Sequence, residues 1–273
     1  MNLNLKDKVV LVTGGAKGIG KGIVELLAAE GAIPVIIGRK EKDNLAVEEE
    51  LAAKGFKSFA VQAELTNPED CKKAVDAVIA KCGRIDGLVN NAGLNDGVSL
   101  ENGDYDSFVK SLHNSLVHYY LMAHYCLPEL KKSKGNILNI SSKTAETGQG
   151  GTSGYAASNG GRNALTREWA VELLPYSIRV NAIVVAESMT PQYENWIKTI
   201  SNPEETLKKI TSRIPLENRM TTVEEIANMA VFLLSDRSSH TTGQLIHVDG
   251  GYVHLDRDRK STRLNSSHAN ISY

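Results

Sequence analysis

Short apolar runs rich in β-branched residues alternate with longer segments of helical period along the chain. That alternation restricts it to a sheet fed by βα units. The runs lie near 8–13, 33–38, 57–62, 85–90, 135–141, 178–185 and 244–248. Helical stretches fall near 18–30, 43–54, 68–82, 104–131, 153–174 and 222–235, with a further helical region around 191–211. Runs such as VVLVT, GLVN and NILNI lack strict polar alternation, as expected where helices cover both faces of a parallel sheet. The expectation is a single α/β domain over 1–257 with a doubly wound, seven-stranded parallel sheet. Ligands of such sheets bind beyond the carboxyl ends of the strands. With 273 residues and 41% apolar content, the chain can bury one substantial core without disulfide or metal.

Charge and cysteine usage narrow the setting. The formal net charge is -1 and neither half carries a basic stripe, so nucleic acid is not expected as a partner. Cys71, Cys82 and Cys126 show no C-x-x-C spacing and read as buried small apolar residues in a reducing compartment. No run approaches the roughly 18 apolar residues of a membrane span, and the first residues lack a cleavable leader pattern, so a cytoplasmic location is expected. His113, His118 and His124 share a helix at offsets that do not pair imidazoles on one face, and no metal site is expected. The segment DRKSTRLNSSHANISY (258–273) is Ser/Asn/Arg-rich and aperiodic, so it is expected to stay outside the core as a disordered tail. It resembles translated read-through of a sequencing adapter, which would make it non-native and put the native end near Arg257.

TGGAKGIG (Thr13–Gly20) follows the first strand and opens the first helix. Gly14, Gly18 and Gly20 permit a tight turn and close approach of backbone to a pyrophosphate, and Lys17 and Ile19 share that turn. NNAG (Asn90–Gly93) ends the fourth strand, where Asn91, Ala92 and Gly93 form a small loop suited to lie under a nicotinamide ribose. Together they read as the dinucleotide site of a Rossmann fold. Arg39, at the end of the second strand, offers charge-assisted bonds to a 2′-phosphate and favours NADP, while Glu41 or Asp43 leaves an NAD ribose open. Glu64 and Leu65 close the third strand, where an adenine edge would lie.

Ser142 ends the fifth strand and Tyr155 begins the next helix, 13 positions later. A loop of that length returns the chain so that hydroxyl and phenol face one site. Oxidising an alcohol requires removal of its proton, and a phenol can do this if its acidity is raised from the usual value near about 10. Ser142 would hold the substrate oxygen. Asn114, inside the long helix, is a poor interior residue unless its side chain has a task, here the organisation of a proton relay.

TGGAKGIG, NNAG, Asn114, Ser142 and Tyr155 resemble, in order and spacing across 5–257, the motifs of the short-chain dehydrogenase/reductase family. The stretches NNAGLNDGVSL, MAHYCLPEL, NISSKTAETGQGGTSGYAAS, LTREWAVELL and SSHTTGQLIHVDGGYVHLDR look more narrowly like its bacterial L-fucose dehydrogenases. The resemblance implies an NAD(P)-dependent enzyme, with Asn114, Ser142, Tyr155 and position 159 as its catalytic set. It further implies that Tyr155, Asn159 and Thr190 touch the cofactor, and that the protein is a homotetramer pairing helices 104–131 and 153–174, with VDGGYVHL near another interface. Phe108, Val109, Leu112, Leu116 and Tyr120 form an apolar stripe on the first of those helices.

Two departures stand out. Val185-Ala186, followed by Glu187, replaces the family's Pro-Gly after the sixth strand, and Asn159 replaces the lysine four residues after the tyrosine. Without that positive charge the phenolate is less favoured, so impaired turnover and weaker cofactor binding are expected. The expected reaction oxidises the anomeric hydroxyl of a small aldose such as L-fucose to its lactone, with Asn95, Asp96, Lys143, Glu146, Gln149 and Glu187 as polar contacts. The alternatives are a reductase of 3-oxoacyl thioesters or small ketones, and a nucleotide-binding protein without activity.

Overall fold

The structure is a computed structural model that describes residues 2–255, without the side chain of Gln192. The expected tail, 258–273, lies outside the described residues. Seven parallel strands form one sheet in the order β3-β2-β1-β4-β5-β6-β7. They are β1 (Val9–Thr13), β2 (Ile33–Gly38), β3 (Phe59–Gln62), β4 (Gly87–Asn90), β5 (Asn136–Ser142), β6 (Arg179–Val185) and β7 (Leu245–Val248). The doubly wound α/β sheet expected from the sequence is therefore present. The order reverses between β1 and β4, which opens a crevice at their carboxyl ends.

The pleat explains the uninterrupted apolar strands. Val9 and Leu11 of β1 point into one core with Val75 and Val78 of α3 (Pro68–Cys82), Tyr119 and Met122 of α5 (His118–Ser133), and Trp169 of α6 (Ser153–Glu172). Val10 and Val12 point into the other, with Ile23 and Leu27 of α1 (Gly18–Ala29), Val47 of α2 (Glu41–Ala53), and Ile226 and Val231 of α9 (Val223–Leu234). At ~1.5–3 kcal/mol per fully buried aliphatic side chain, both faces contribute comparably to the fold.

Two helical expectations change in detail. The stretch 104–131 is α4 (Tyr105–Leu112), a π-turn over His113–Val117, and α5. The π-turn frees carbonyls from the i→i+4 ladder, and the Ser115 carbonyl accepts from Arg162 Nε at 2.7 Å. The region 191–211 divides into α7 (Pro191–Ile197) and α8 (Pro203–Thr211), because Pro203 lacks the N–H that would continue a helix through it. A small cluster of Ile214, Met220 and Tyr252 packs beneath these two helices, apart from the main cores. Among the described residues no helix is long and apolar enough to cross a membrane.

Candidate active site

The phosphate end of the crevice is built from backbone. Gly14 and Gly18 hold left-handed φ of 65° and 52°, which glycine adopts without a Cβ penalty. A Cβ on Gly20 would stand 2.3 Å from the Gly14 carbonyl oxygen, so α1 and the turn meet only because none is there. Thr13 Oγ1 accepts from the backbone N–H groups of Asn91 (2.9 Å) and Ala92 (3.1 Å), and Asn91 Nδ2 donates to the Thr13 carbonyl at 2.9 Å. These bonds fasten NNAG to the glycine turn, joining Gly14, Lys17, Gly18, Ile19 and Gly20 to Asn91, Ala92 and Gly93. Thr190 closes on the same turn, its Cβ and Cγ2 each 3.5 Å from where a Gly18 Cβ would be. The start of α1 has no side-chain cap, which leaves its first N–H groups for an anionic partner, and a dinucleotide pyrophosphate fits there.

At the adenosine end Lys17 Nζ pairs with Asp43 Oδ2 at 2.7 Å, and that bond holds the Asp43 carboxyl below its ordinary range. The Arg39 side chain is 72% exposed and only 3.8 Å from Glu64 Oε2, a loose pairing that leaves its guanidinium accessible. Leu65 is buried in the core and supplies the floor of this corner.

The catalytic end is built from side chains. Ser142 and Tyr155 come from the end of β5 and the first turn of α6. Below them a buried ladder runs from Asn90 Nδ2 to Asn139 Oδ1 (3.1 Å) and from Asn139 Nδ2 to Thr166 Oγ1 (2.9 Å), fixing β4, β5 and α6 to one another. Asn114 lies in the π-turn, its carbonyl 3.1 Å from His118 Nε2, which must therefore carry the ring proton. Burial and the neighbouring Arg162 push the His118 pKa down to about 3, so the ring is neutral.

Both polar atoms of the Asn159 side chain are engaged within α6. The residue is fully buried, its Nδ2 donates to the Tyr155 carbonyl at 2.8 Å, and its Oδ1 accepts from Arg162 Nη1 at 3.0 Å. An amide on this short side chain turns back to its own helix, whereas a lysine stem would extend past it. Sequence reasoning missed Arg162, although its position seven residues after Tyr155 puts both on one face of α6.

Beyond Ser142 the walls are polar. Lys143 Nζ makes a very short contact with Glu187 Oε1 and lies 4.0 Å from the Tyr252 ring centroid. Tyr193 shares a hydrogen bond with Glu187, and burial together with that carboxylate raises its pKa. Glu146 Oε2 lies 3.0 Å from His247 Nε2, and Asn163 Nδ2 donates weakly to Glu146 Oε1 at 3.4 Å. With His254, these two residues bring three metal-type ligand atoms within 4.8 Å, a grouping absent from the sequence expectation, which considered other histidines. Asn95 and Asp96 are taken up locally, by Gly97 N at 3.3 Å and Ser111 Oγ at 2.9 Å, and Gln149 is exposed in a glycine-rich loop. Tyr193, His247, Tyr252 and His254 lie far along the chain from Ser142, with no local motif to announce them.

The sequence profile described as enoyl-(acyl carrier protein) reductase matches residues 14–253. A 3-oxoacyl-(acyl-carrier-protein) reductase of Thermotoga maritima is 37% identical over 92% of this chain and all of its own length. The L-fucose dehydrogenase of Bos taurus is 35% identical over 92% of this chain and 91% of its own. The crystal structure of Cj0485 dehydrogenase superposes with a TM-score of 0.90 at 49% identity, covering 94% of this chain and 98% of that one. The chain belongs to the short-chain dehydrogenase/reductase family, and it is an oxidoreductase by that membership.

Proposed function

We propose that this oxidoreductase uses NADP to oxidise the anomeric hydroxyl of an aldose, L-fucose or a sugar like it, to the lactone. The observation that carries this reading is the polar wall next to Ser142, where the Lys143–Glu187 pair, Tyr193 and the Glu146–His247 pair converge. The Lys143–Glu187 pair is largely buried, and buried donors and acceptors favour a substrate rich in hydroxyl groups and penalise one that leaves them unpaired. The likeness to L-fucose dehydrogenase adds support. Exposed Arg39, and an Asp43 already tied to Lys17, favour NADP over NAD.

When bound, the nicotinamide supplies a hydride acceptor at the substrate carbon. Tyr155 takes the hydroxyl proton, Ser142 donates to the same oxygen and keeps it in place, and Glu187 accepts from a neighbouring hydroxyl. Atoms balance: the anomeric C–H leaves as hydride, the O–H proton goes to Tyr155, and a lactone carbonyl remains. Asn114 positions the relay behind them through the π-turn. With asparagine at 159, turnover at neutral pH is lower than in a site that carries lysine there and no buried arginine beside it.

The 37% identity to a 3-oxoacyl reductase favours a second reading, reduction of a thioester-linked ketone. Steady-state assays across aldoses and 3-oxoacyl thioesters separate them. Aldose oxidation with no thioester reduction supports the proposal, and thioester reduction alone overturns it. A homotetramer is part of the same reading. Phe108 and Tyr120 of the α4–α5 stripe are exposed, and Val109, Leu112 and Leu116 only partly covered, which suits an interface better than a core.

A further inference from the structure

Arg162 is 3% exposed, and among the described residues no ion pair engages it. A buried cation usually has a carboxylate partner. Lys143, nearby on the turn after β5, has one in Glu187. Arg162 is held instead by neutral acceptors, namely the Ser115 carbonyl at 2.7 Å, the Ile140 carbonyl at 3.0 Å and Asn159 Oδ1 at 3.0 Å. Its guanidinium stacks 4.3 Å from the Tyr119 ring centroid. Its hydrogen bonds are satisfied, and its charge is not neutralised.

The place where this charge is held is informative. Tyr155, Asn159 and Arg162 occupy positions i, i+4 and i+7, one face of α6, and helical side chains lean toward the N-terminus, which carries the guanidinium back to Asn159 Oδ1, one turn from Tyr155. A Cβ on Gly93 would stand 2.6 Å from Arg162 Nη2, so the cation presses on the underside of the NNAG loop. Gly161 lets α6 come close enough to the π-turn for the Ser115 carbonyl to reach it, since a Cβ there would lie 2.8 Å from Leu116 Cδ2. The same field reaches both neighbouring titratable groups on α5. It helps keep His118 uncharged and opposes the rise that burial imposes on the Tyr119 phenol, which also feels Tyr155.

We propose that Arg162 takes over the role left open by the missing lysine, as a positioning residue that holds Asn159 and supplies the buried positive charge against which the Tyr155 oxygen becomes negative. This rests on the reading of Tyr155 as the base. The other groups facing this stretch of α6 are His118 and Tyr119 from α5, and Lys143 and Glu146 from the turn after β5. The last two are paired with Glu187 and His247. Arg162 is thus the unpaired charge among them.

The substitutions Arg162→Leu, Arg162→Lys, Asn159→Lys and the double Asn159→Lys/Arg162→Leu test this. Two readouts apply: the pH profile of kcat/KM, and tyrosinate absorbance without cofactor, taken as the difference from Tyr155→Phe. Arg162→Leu is expected to move the alkaline transition up by about one pH unit, with about tenfold lower turnover at neutral pH, and Arg162→Lys to recover most of it. Asn159→Lys alone puts two cations in one buried site and should lower turnover, whereas the double variant restores it. If Arg162→Leu does not fold, the double variant set against Asn159→Lys carries the comparison. The proposal is overturned if Arg162→Leu folds and loses only thermal stability with both pH transitions unmoved, or if Asn159→Lys raises turnover equally with and without Arg162. If no substrate is turned over by any variant, the reading of function fails, while the tyrosinate difference still reports on Arg162.

Discussion

The two ends of the crevice are made differently. At the phosphate end the working groups are backbone, set by glycines within one turn and clamped by Thr13 and Asn91. At the catalytic end they are side chains from β5, α6, the segment after β6 and β7, brought together by the buried Asn90–Asn139–Thr166 ladder and by Arg162. A backbone site tolerates any exposed side chain that spares its φ angles. A site made of side chains can draw a charge from more than one position, as we propose for Arg162 beside Asn159.

If that contrast holds, substitutions at the two ends separate chemistry from binding. The largest effect is expected for Tyr155→Phe, which should reduce kcat by about 10²–10⁴-fold and leave cofactor affinity in a fluorescence titration unchanged. A loss under about tenfold would deny Tyr155 its role. Gly20→Ala should act the other way. Its Cβ, 2.3 Å from the Gly14 carbonyl oxygen, displaces the turn at a cost of about 1–3 kcal/mol, lowering the melting temperature and weakening cofactor binding about tenfold or more. Cofactor affinity within twofold of the unaltered protein would break the contrast.

A smaller effect reports on charge at the catalytic end. Folded His118 stays neutral down to about pH 3, whereas in the unfolded chain it takes up a proton near its ordinary value of 6.5. Between those values the unfolded state binds the extra proton. Stability is therefore complete above the upper value and falls as pH falls, by up to about 1.4 kcal/mol per unit. His118→Gln should flatten that part of the urea-denaturation profile, and an unchanged slope would mean that the ring charges in place. The smallest effect is expected from removing 258–273, which we propose leaves melting temperature and cofactor affinity within error. A clear drop in either would count against excluding it from the domain.

Legibility in the sequence followed the same divide. The strands, their βα alternation and the glycine turn were readable because each depends on local period or local φ. The π-turn was not, because no local period announces it, and the Ser115 carbonyl within it meets its partner Arg162 across 47 positions. Ser142 and Tyr155 lie where their spacing puts them, at the end of β5 and the start of α6, whereas His247 meeting Glu146 across 101 positions depends on β7 closing the sheet beside β6. Arg162, three residues after Asn159 on α6, looks in the sequence like any solvated helix arginine until its burial is known.

The most direct test of sugar oxidation at this site uses L-fucose carrying deuterium at the anomeric carbon, incubated with NADP and the unaltered protein. The expected result is deuterium in the reduced cofactor, a primary isotope effect on kcat/KM and a lactone product, all lost in Tyr155→Phe. Cofactor that binds and is never reduced by this or any other aldose from about pH 7 to about pH 10 would contradict it.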